Sequence, residues 1–176
     1  MKSRWEEVLK GRLQLYGHRN WLVIADSAYP AQSGQGIETI VADEEQTPVL
    51  ARVFTILREC RHIKPTIYMD AEMKFVPEED APGITFYREQ LGGIFMDYEV
   101  RSLLHEEIIS KLDLVGEKFR VLLVKTNMRI PYTSVFIELE CGYWNSQAEN
   151  RLRAAMRSGE RRSNASIRGR SRRRQI

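Results

Sequence analysis

The sequence predicts a layered α/β domain. Three observations carry this: short apolar runs of strand length, amphipathic runs of helix length, and alternation of the two along most of the chain. At 176 residues, with 43% apolar and 29% charged content, the chain has the size and balance for one well-buried core. No internal repeat interrupts the pattern.

Ser3 and Glu6 have the spacing of a capping box, and Trp5, Val8, Leu9 and Leu13 follow at roughly helical spacing. This predicts a helix over about 4–15. Residues 21–25 are a short apolar run ending at Asp26, with the Val and Ile of a buried strand. Residues 27–36, punctuated by Ser, Pro, Gly34 and Gly36, read as a loop. Thr47-Pro48 has the form of a helix start, a cap residue and then proline at the first position. Val49, Leu50, Val53, Phe54 and Leu57 continue it as one apolar face to about Cys60.

Residues 65–69 read as the next strand, and the acidic stretch 76–83, with two prolines and a glycine, as a surface loop. A helix is expected over 84–95, weakened by Gly92-Gly93, then a strand over 98–103. Ile108, Ile109 and Leu112 share one side of a helix over 105–114, and 120–125 and 134–140 read as two further strands.

Charge divides the chain unevenly. Residues 151–176 hold ten arginines and one acid, Glu160, hence +9, so the preceding 150 residues carry −6 against the net +3. Few large apolar residues follow Met156, so a short helical extension and then disorder are expected from about Asn145. The expected organisation is a domain over 1–144 and an Arg/Ser-rich tail over 145–176.

Several function classes are disfavoured. No apolar run approaches the ~20 residues of a membrane-spanning helix, and the charged N-terminus lacks the apolar core of a secretory signal. Cys60 and Cys141 are far apart and form no metal-spaced pair, so reduced thiols and a cytoplasmic location are expected. Gly34-x-Gly36 lacks the rest of a dinucleotide fingerprint, and no metal ligands cluster, so neither cofactor nor metal is expected.

Three histidines, His18, His62 and His105, are the side chains suited to proton transfer near neutral pH. Asp26 closes the first strand, where ligands of open α/β sheets bind, and equally where turn residues stand. His18 precedes that strand and reads equally as an ordinary loop histidine. His62 lies between a helix and a strand, as a surface residue or a cation near a helix C-terminus. Glu44-Glu45, Glu78-Glu79-Asp80 and Glu106-Glu107 read as solvated faces, and Cys60 as part of a core.

Residues 17–30, GHRNWLVIADSAYP, nevertheless resemble the opening signature of the ribose-pyranase/fucose-mutarotase (RbsD/FucU) family: G-H, a gap, an apolar strand, then D-A-x-x-P. His18 and Asp26 keep its eight-residue spacing. Leu104-His105-Glu106-Glu107 resembles the family's second histidine before a helix. Lys125-Thr126-Asn127 through Pro131-Tyr132-Thr133-Ser134 resembles its closing R-[ST]-G-E-x-x-P-Y-A-N. The three matches keep their order over about residues 3–144.

The resemblance implies a three-layer α/β/α fold with a central, largely parallel but mixed sheet. It implies an isomerase that opens and recloses the ring of a free monosaccharide such as ribose or fucose. His18 would be the general acid/base, and Asp26, His105, Tyr132 and Ser134 would hold the sugar. It also implies a homo-oligomer, a decameric ring in the family, with each pocket completed by a neighbouring subunit. The chain departs from the pattern at Ser134, which stands for an asparagine, at Asn127-Met128, which stands for Gly-Glu, and at Ser27-Ala28-Tyr29, which replaces a smaller turn. Tyr29 would then stack on a sugar or fill a subunit contact. Two other readings stand beside the isomerase: a sugar-binding or sensor module without turnover, and a polyanion-binding role for the arginine tail, the one route to nucleic acid.

Overall fold

A computed structural model describes residues 4–158. Backbone contacts divide the chain into two units, Met1–Cys141 and Gly142–Ile176. The first contains, in order, α1 (Arg4–Leu15), β1 (Trp21–Ala25), β2 (Ile37–Val41), α2 (Gln46–Glu59), β3 (Ile63–Asp70), a 3-10 turn (Ala71–Phe75), α3 (Ile84–Ile94), β4 (Val100–Leu103), α4 (His105–Lys118), β5 (Val121–Lys125) and β6 (Val135–Cys141).

The six strands form one sheet in the order β2-β5-β1-β6-β3-β4. β6 lies between β1 and β3 and runs antiparallel to both, whereas the other neighbours are parallel. All five residues of β1 are buried because both faces of the sheet are covered. Leu22 and Ile24 face a core shared with Leu9 of α1, Phe54 of α2 and Leu91 of α3. Trp21 and Val23 face a second core with Ile108 and Leu112 of α4. The three-layer, largely parallel architecture follows from this two-sided burial.

Two local expectations change. β2 is a half-exposed edge strand whose Glu38 and Thr39 break any apolar run, so periodicity does not reveal it. α2 begins at Gln46, with Glu45 at the cap and no side-chain cap bond, so Thr47 is not the cap. Thr47 instead donates its hydroxyl to Gln90 Oε1 at 3.0 Å. Pro48 falls at the third helical position, where its missing N–H is still one of the first-turn donors without a helical acceptor. The buried Gln46 explains the earlier start: its amide donates to the Ile24 carbonyl at 3.1 Å and the Thr133 carbonyl at 2.7 Å. Ser3, half of the expected capping box, lies outside the described residues.

One glycine is fixed by close approach. A Cβ on Gly36 would lie 2.1 Å from the Gly116 carbonyl oxygen and 2.5 Å from that of Phe119. The turn into β2 therefore rests directly on the backbone at the end of α4.

In the second unit a helix spans 146–158. Asn145 caps it, its Oδ1 accepting the Ala148 N–H at 2.9 Å, and Glu149 pairs with Arg153 one turn on. The basic stretch 161–174 lies outside the described residues. Among the described residues, no helix is long and apolar enough to cross a membrane.

Candidate active site

The register of β6 builds the site. Ile24 of β1 and Met69 of β3 both pair with Val135. Asp26 leaving β1, Asp70 ending β3 and Ser134 entering β6 therefore meet at one edge of the sheet. β4 pairs Leu103 with Asp70, so His105, two residues on, arrives at the same edge. This edge holds the carboxyl ends of the parallel strands, where α/β sheets bind ligands.

Asp26 and Ser134 are joined twice. The Ser134 hydroxyl donates to Asp26 Oδ2 at 2.8 Å, and the Asp26 N–H donates to Ser134 Oγ at 3.2 Å. Asp26 Oδ1 accepts the Ala28 N–H at 2.9 Å, the bond of an Asx turn. Both sequence readings of Asp26 thus hold geometrically: it makes a turn, and its carboxylate stands at the ligand edge.

His105 opens α4. Its N–H lies 3.1 Å from both Glu72 carboxylate oxygens. Its Nδ1 lies 3.2 Å from Asp70 Oδ2, close enough to pair though not ideally aligned. The Asp70 side chain has no solvent exposure, while the His105 side chain is 34% exposed. Burial pushes the Asp70 carboxyl above its ordinary range; His105 opposes the shift, and Glu72 and Asp26 reinforce it.

Tyr132 packs edge-on to His105, with ring centroids 5.6 Å apart. Its φ of 58° is in the left-handed region, uncommon for a bulky residue. The next residue is fastened on three sides: the Thr133 carbonyl accepts from Gln46 Nε2 and the buried Tyr87 hydroxyl, and its own hydroxyl donates to the Ile130 carbonyl. The strain at Tyr132 is held by bonds from beneath, not by the exposed ring itself.

The structure therefore brings together Asp26, His105, Tyr132 and Ser134. It does not bring His18 to them. His18 is exposed in the turn before β1, at the opposite edge of the sheet. Five strand residues at about 3.3 Å each put roughly 17 Å between the two edges. Tyr29 is neither a sugar platform nor a subunit contact in this chain: it is 5% exposed and packs on Phe136 in the α4-side core. His62 does serve a helix C-terminus, but that of α1: its Nε2 meets the carbonyls of Leu13 and Tyr16 at 3.0 and 3.1 Å.

Four residues of the site were not read from the sequence: Asp70, Glu72, Gln46 and Tyr87. Asp70 was findable, since it follows an apolar run as Asp26 does. Gln46 and Tyr87 carry no such signal, because their partners are backbone carbonyls distant in sequence.

Comparison with solved structures decides the fold. A Bacillus subtilis RbsD complexed with D-ribose is 20% identical with a TM-score of 0.53, over 80% of this chain and 98% of that one. The chain has the RbsD/FucU fold. A FucU from Bifidobacterium longum is 17% identical with a TM-score of 0.51, over 77% of this chain and 92% of that one. A fucose mutarotase from Streptococcus pneumoniae, in complex with L-fucose, is 20% identical with a TM-score of 0.51, over 74% and 89%. No family model and no curated protein sequence matches the chain. What this chain shares with the RbsD/FucU structures is thus the fold, and its site must be judged on its own side chains.

Proposed function

We propose that this protein is a monosaccharide isomerase of the pyranase/mutarotase type, acting in the cytoplasm on a free sugar such as ribose or fucose. The observation that carries the reading is the meeting of Asp26, Ser134, His105 and Tyr132 at the carboxyl edge of an RbsD/FucU sheet. The bound D-ribose and L-fucose of two of the similar structures support a monosaccharide as the substrate class.

Carboxylate, hydroxyl and imidazole are groups that hold sugar hydroxyls, and an exposed aromatic ring beside them can pack on a sugar's C–H face. Ring opening moves two protons. The anomeric hydroxyl loses one as the C1–O bond to the ring oxygen breaks, and the ring oxygen gains one. Reclosure on the other face, or from another hydroxyl, gives the other anomer or ring size. Positioned acids and bases supply about 10²–10⁴-fold in rate. His18, too far away within a chain, enters the site from a neighbouring copy in a homo-oligomer. This reading of the assembly comes from the family resemblance and from the placement of His18.

Exchange NMR on ribose and fucose, with light scattering for assembly, tests the proposal. Faster anomer or ring-form exchange is expected, reduced by His18→Ala and lost in a dissociated protein. Acceleration that survives His18→Ala unchanged in a monomer would remove His18 from the mechanism. A second reading, sugar binding without turnover, is favoured by the closed Asp26–Ser134 pair, which occupies the hydroxyl of Ser134. Saturable binding with no change in exchange would favour it.

A further inference from the structure

Asp70 and His105 form a pair that the sequence resemblance does not contain. We propose that Asp70 is a positioning residue that holds His105 in the Nδ1–H tautomer, leaving Nε2 as the base that takes the anomeric proton. The proposal rests on the isomerase reading for its substrate, and on geometry for the pair itself.

Three observations carry it. First, a carboxylate with no solvent exposure is costly to keep unless a partner holds it. Asp70 Oδ1 has no hydrogen-bond partner among the described residues, and Oδ2 lies 3.2 Å from the imidazole Nδ1, within ion-pair distance but short of hydrogen-bond alignment. Second, His105 is held at two further points: Glu72 accepts from its backbone N–H, and the Tyr132 ring packs edge-on to its imidazole. Third, Nε2 has no protein partner among the described residues, and the ring is one-third exposed at the edge where Asp26 and Ser134 stand.

In neutral imidazole one nitrogen carries the proton and the other accepts, and the bond made by one fixes the other. With the proton on Nδ1 toward Asp70, the Nε2 lone pair faces outward. The step then balances. Nε2 takes the anomeric O–H proton, that bond's electrons become the C1=O π bond, and the C1–O ring bond breaks. The ring oxygen keeps the pair and takes a proton from the acid, the His18 imidazolium of the proposed mechanism. Reclosure returns both: the attacking hydroxyl gives its proton to His18, and the His105 imidazolium protonates the carbonyl oxygen. No oxidant or reductant is required. The charged groups facing Asp70 are His105, Glu72 and Asp26.

The test combines imidazole NMR and exchange kinetics on the full chain. With only three histidines, His105 is assigned by comparing ¹⁵N-histidine spectra of the parent and His105→Gln. The expected spectrum has His105 protonated on Nδ1, and Asp70→Asn shifts it toward Nε2–H. Sugar exchange in Asp70→Asn is expected to fall about 10²–10⁴-fold in kcat with KM changed less than about threefold. An Nε2–H tautomer in the parent, or a tautomer indifferent to Asp70→Asn, would overturn the proposal whatever the activity. A normal tautomer response in a parent that binds sugar without accelerating exchange would end the isomerase reading, and the base role with it. The parent spectrum alone keeps the idea refutable if Asp70→Asn misfolds.

Discussion

The two edges of the sheet differ in which groups they gather. At the far edge, the chain is closed by backbone contacts and one asparagine side chain. Gly36 sits against the carbonyls of Gly116 and Phe119, the Gly17 N–H is held by Asn20 Oδ1 at 2.8 Å, and the Arg19 N–H is held by the Leu139 carbonyl at 2.9 Å. At the near edge, Asp70 is buried without a full set of partners, Tyr132 is in the left-handed region, and an imidazole faces outward. Strain and an unmet polar group occur at both edges, since Arg19 is also left-handed at φ 75° and the buried Trp21 Nε1 has no partner, but the near edge is where a buried carboxylate stands against an imidazole. Unsatisfied and strained groups persist where surrounding structure over-determines them, and such places are where chemistry is sited. His18, at the far edge, is exposed and makes no hydrogen bond within its own chain among the described residues.

That contrast can be broken by substitution. The largest effect is expected at the near edge: His105→Gln should lower sugar exchange by about 10²–10⁴-fold, or roughly 3–5 kcal/mol in barrier, with little change in thermal unfolding. Equal loss of rate and of folded protein would make His105 structural. At the far edge the effect should be on stability instead. Gly36→Ala drives a methyl into two carbonyls and should cost about 1–3 kcal/mol, read as a lower Tm, with the kinetics of the remaining folded protein unchanged. Retention of the parental Tm would mean the α4 end yields easily.

Smaller effects sharpen the same line. Ser134→Ala removes one donor to Asp26 and one acceptor for its N–H, and should weaken sugar binding by roughly tenfold, about 1.4 kcal/mol, by titration. The smallest effect is a gain. Burial raises the Asp70 pKa in the folded protein above its ordinary 3.8. A raised acid binds its proton more tightly folded than unfolded, so its ionisation costs stability as pH rises through the shifted value. Asp70→Asn should therefore be more stable than the parent at neutral pH, by on the order of 1 kcal/mol. The difference should shrink as pH falls back through the raised pKa toward 3.8. Denaturant midpoints at several pH values measure this, and a pH-independent difference would mean Asp70 is not the titrating group. A variant that gains stability while losing activity separates the near edge from the far one most directly.

Much of the fold was legible because burial writes itself into sequence. β1 and β5 are buried on both sides and read as apolar runs, β6 begins as one before Glu138 and Glu140 leave it half-exposed, and α1, α2 and α4 show one apolar face. β2 was not legible, since an edge strand half in water needs no apolar pattern. The start of α2 was misread because Thr47 and Pro48 satisfy the local rules for a cap, while Gln46 answers to carbonyls 22 and 87 residues away. Of the site, Asp26, His105, Tyr132 and Ser134 could be named from local wording. That Asp70 is beside His105 could not, because 35 residues and a helix separate them.

By itself, the sequence determined which segments other than β2 are strands and helices, that the first strand is buried on both faces, and which four groups resemble those that hold a sugar. Local patterning suffices for these, since each depends on neighbours a few residues away. Only the tertiary structure decided that β6 enters between β1 and β3, that this register sets Asp26, Asp70 and Ser134 at one edge, and that His18 stands at the other. Strand order and register are set by which apolar faces bury together across the whole domain, a sum over distant contacts that no local run of residues contains.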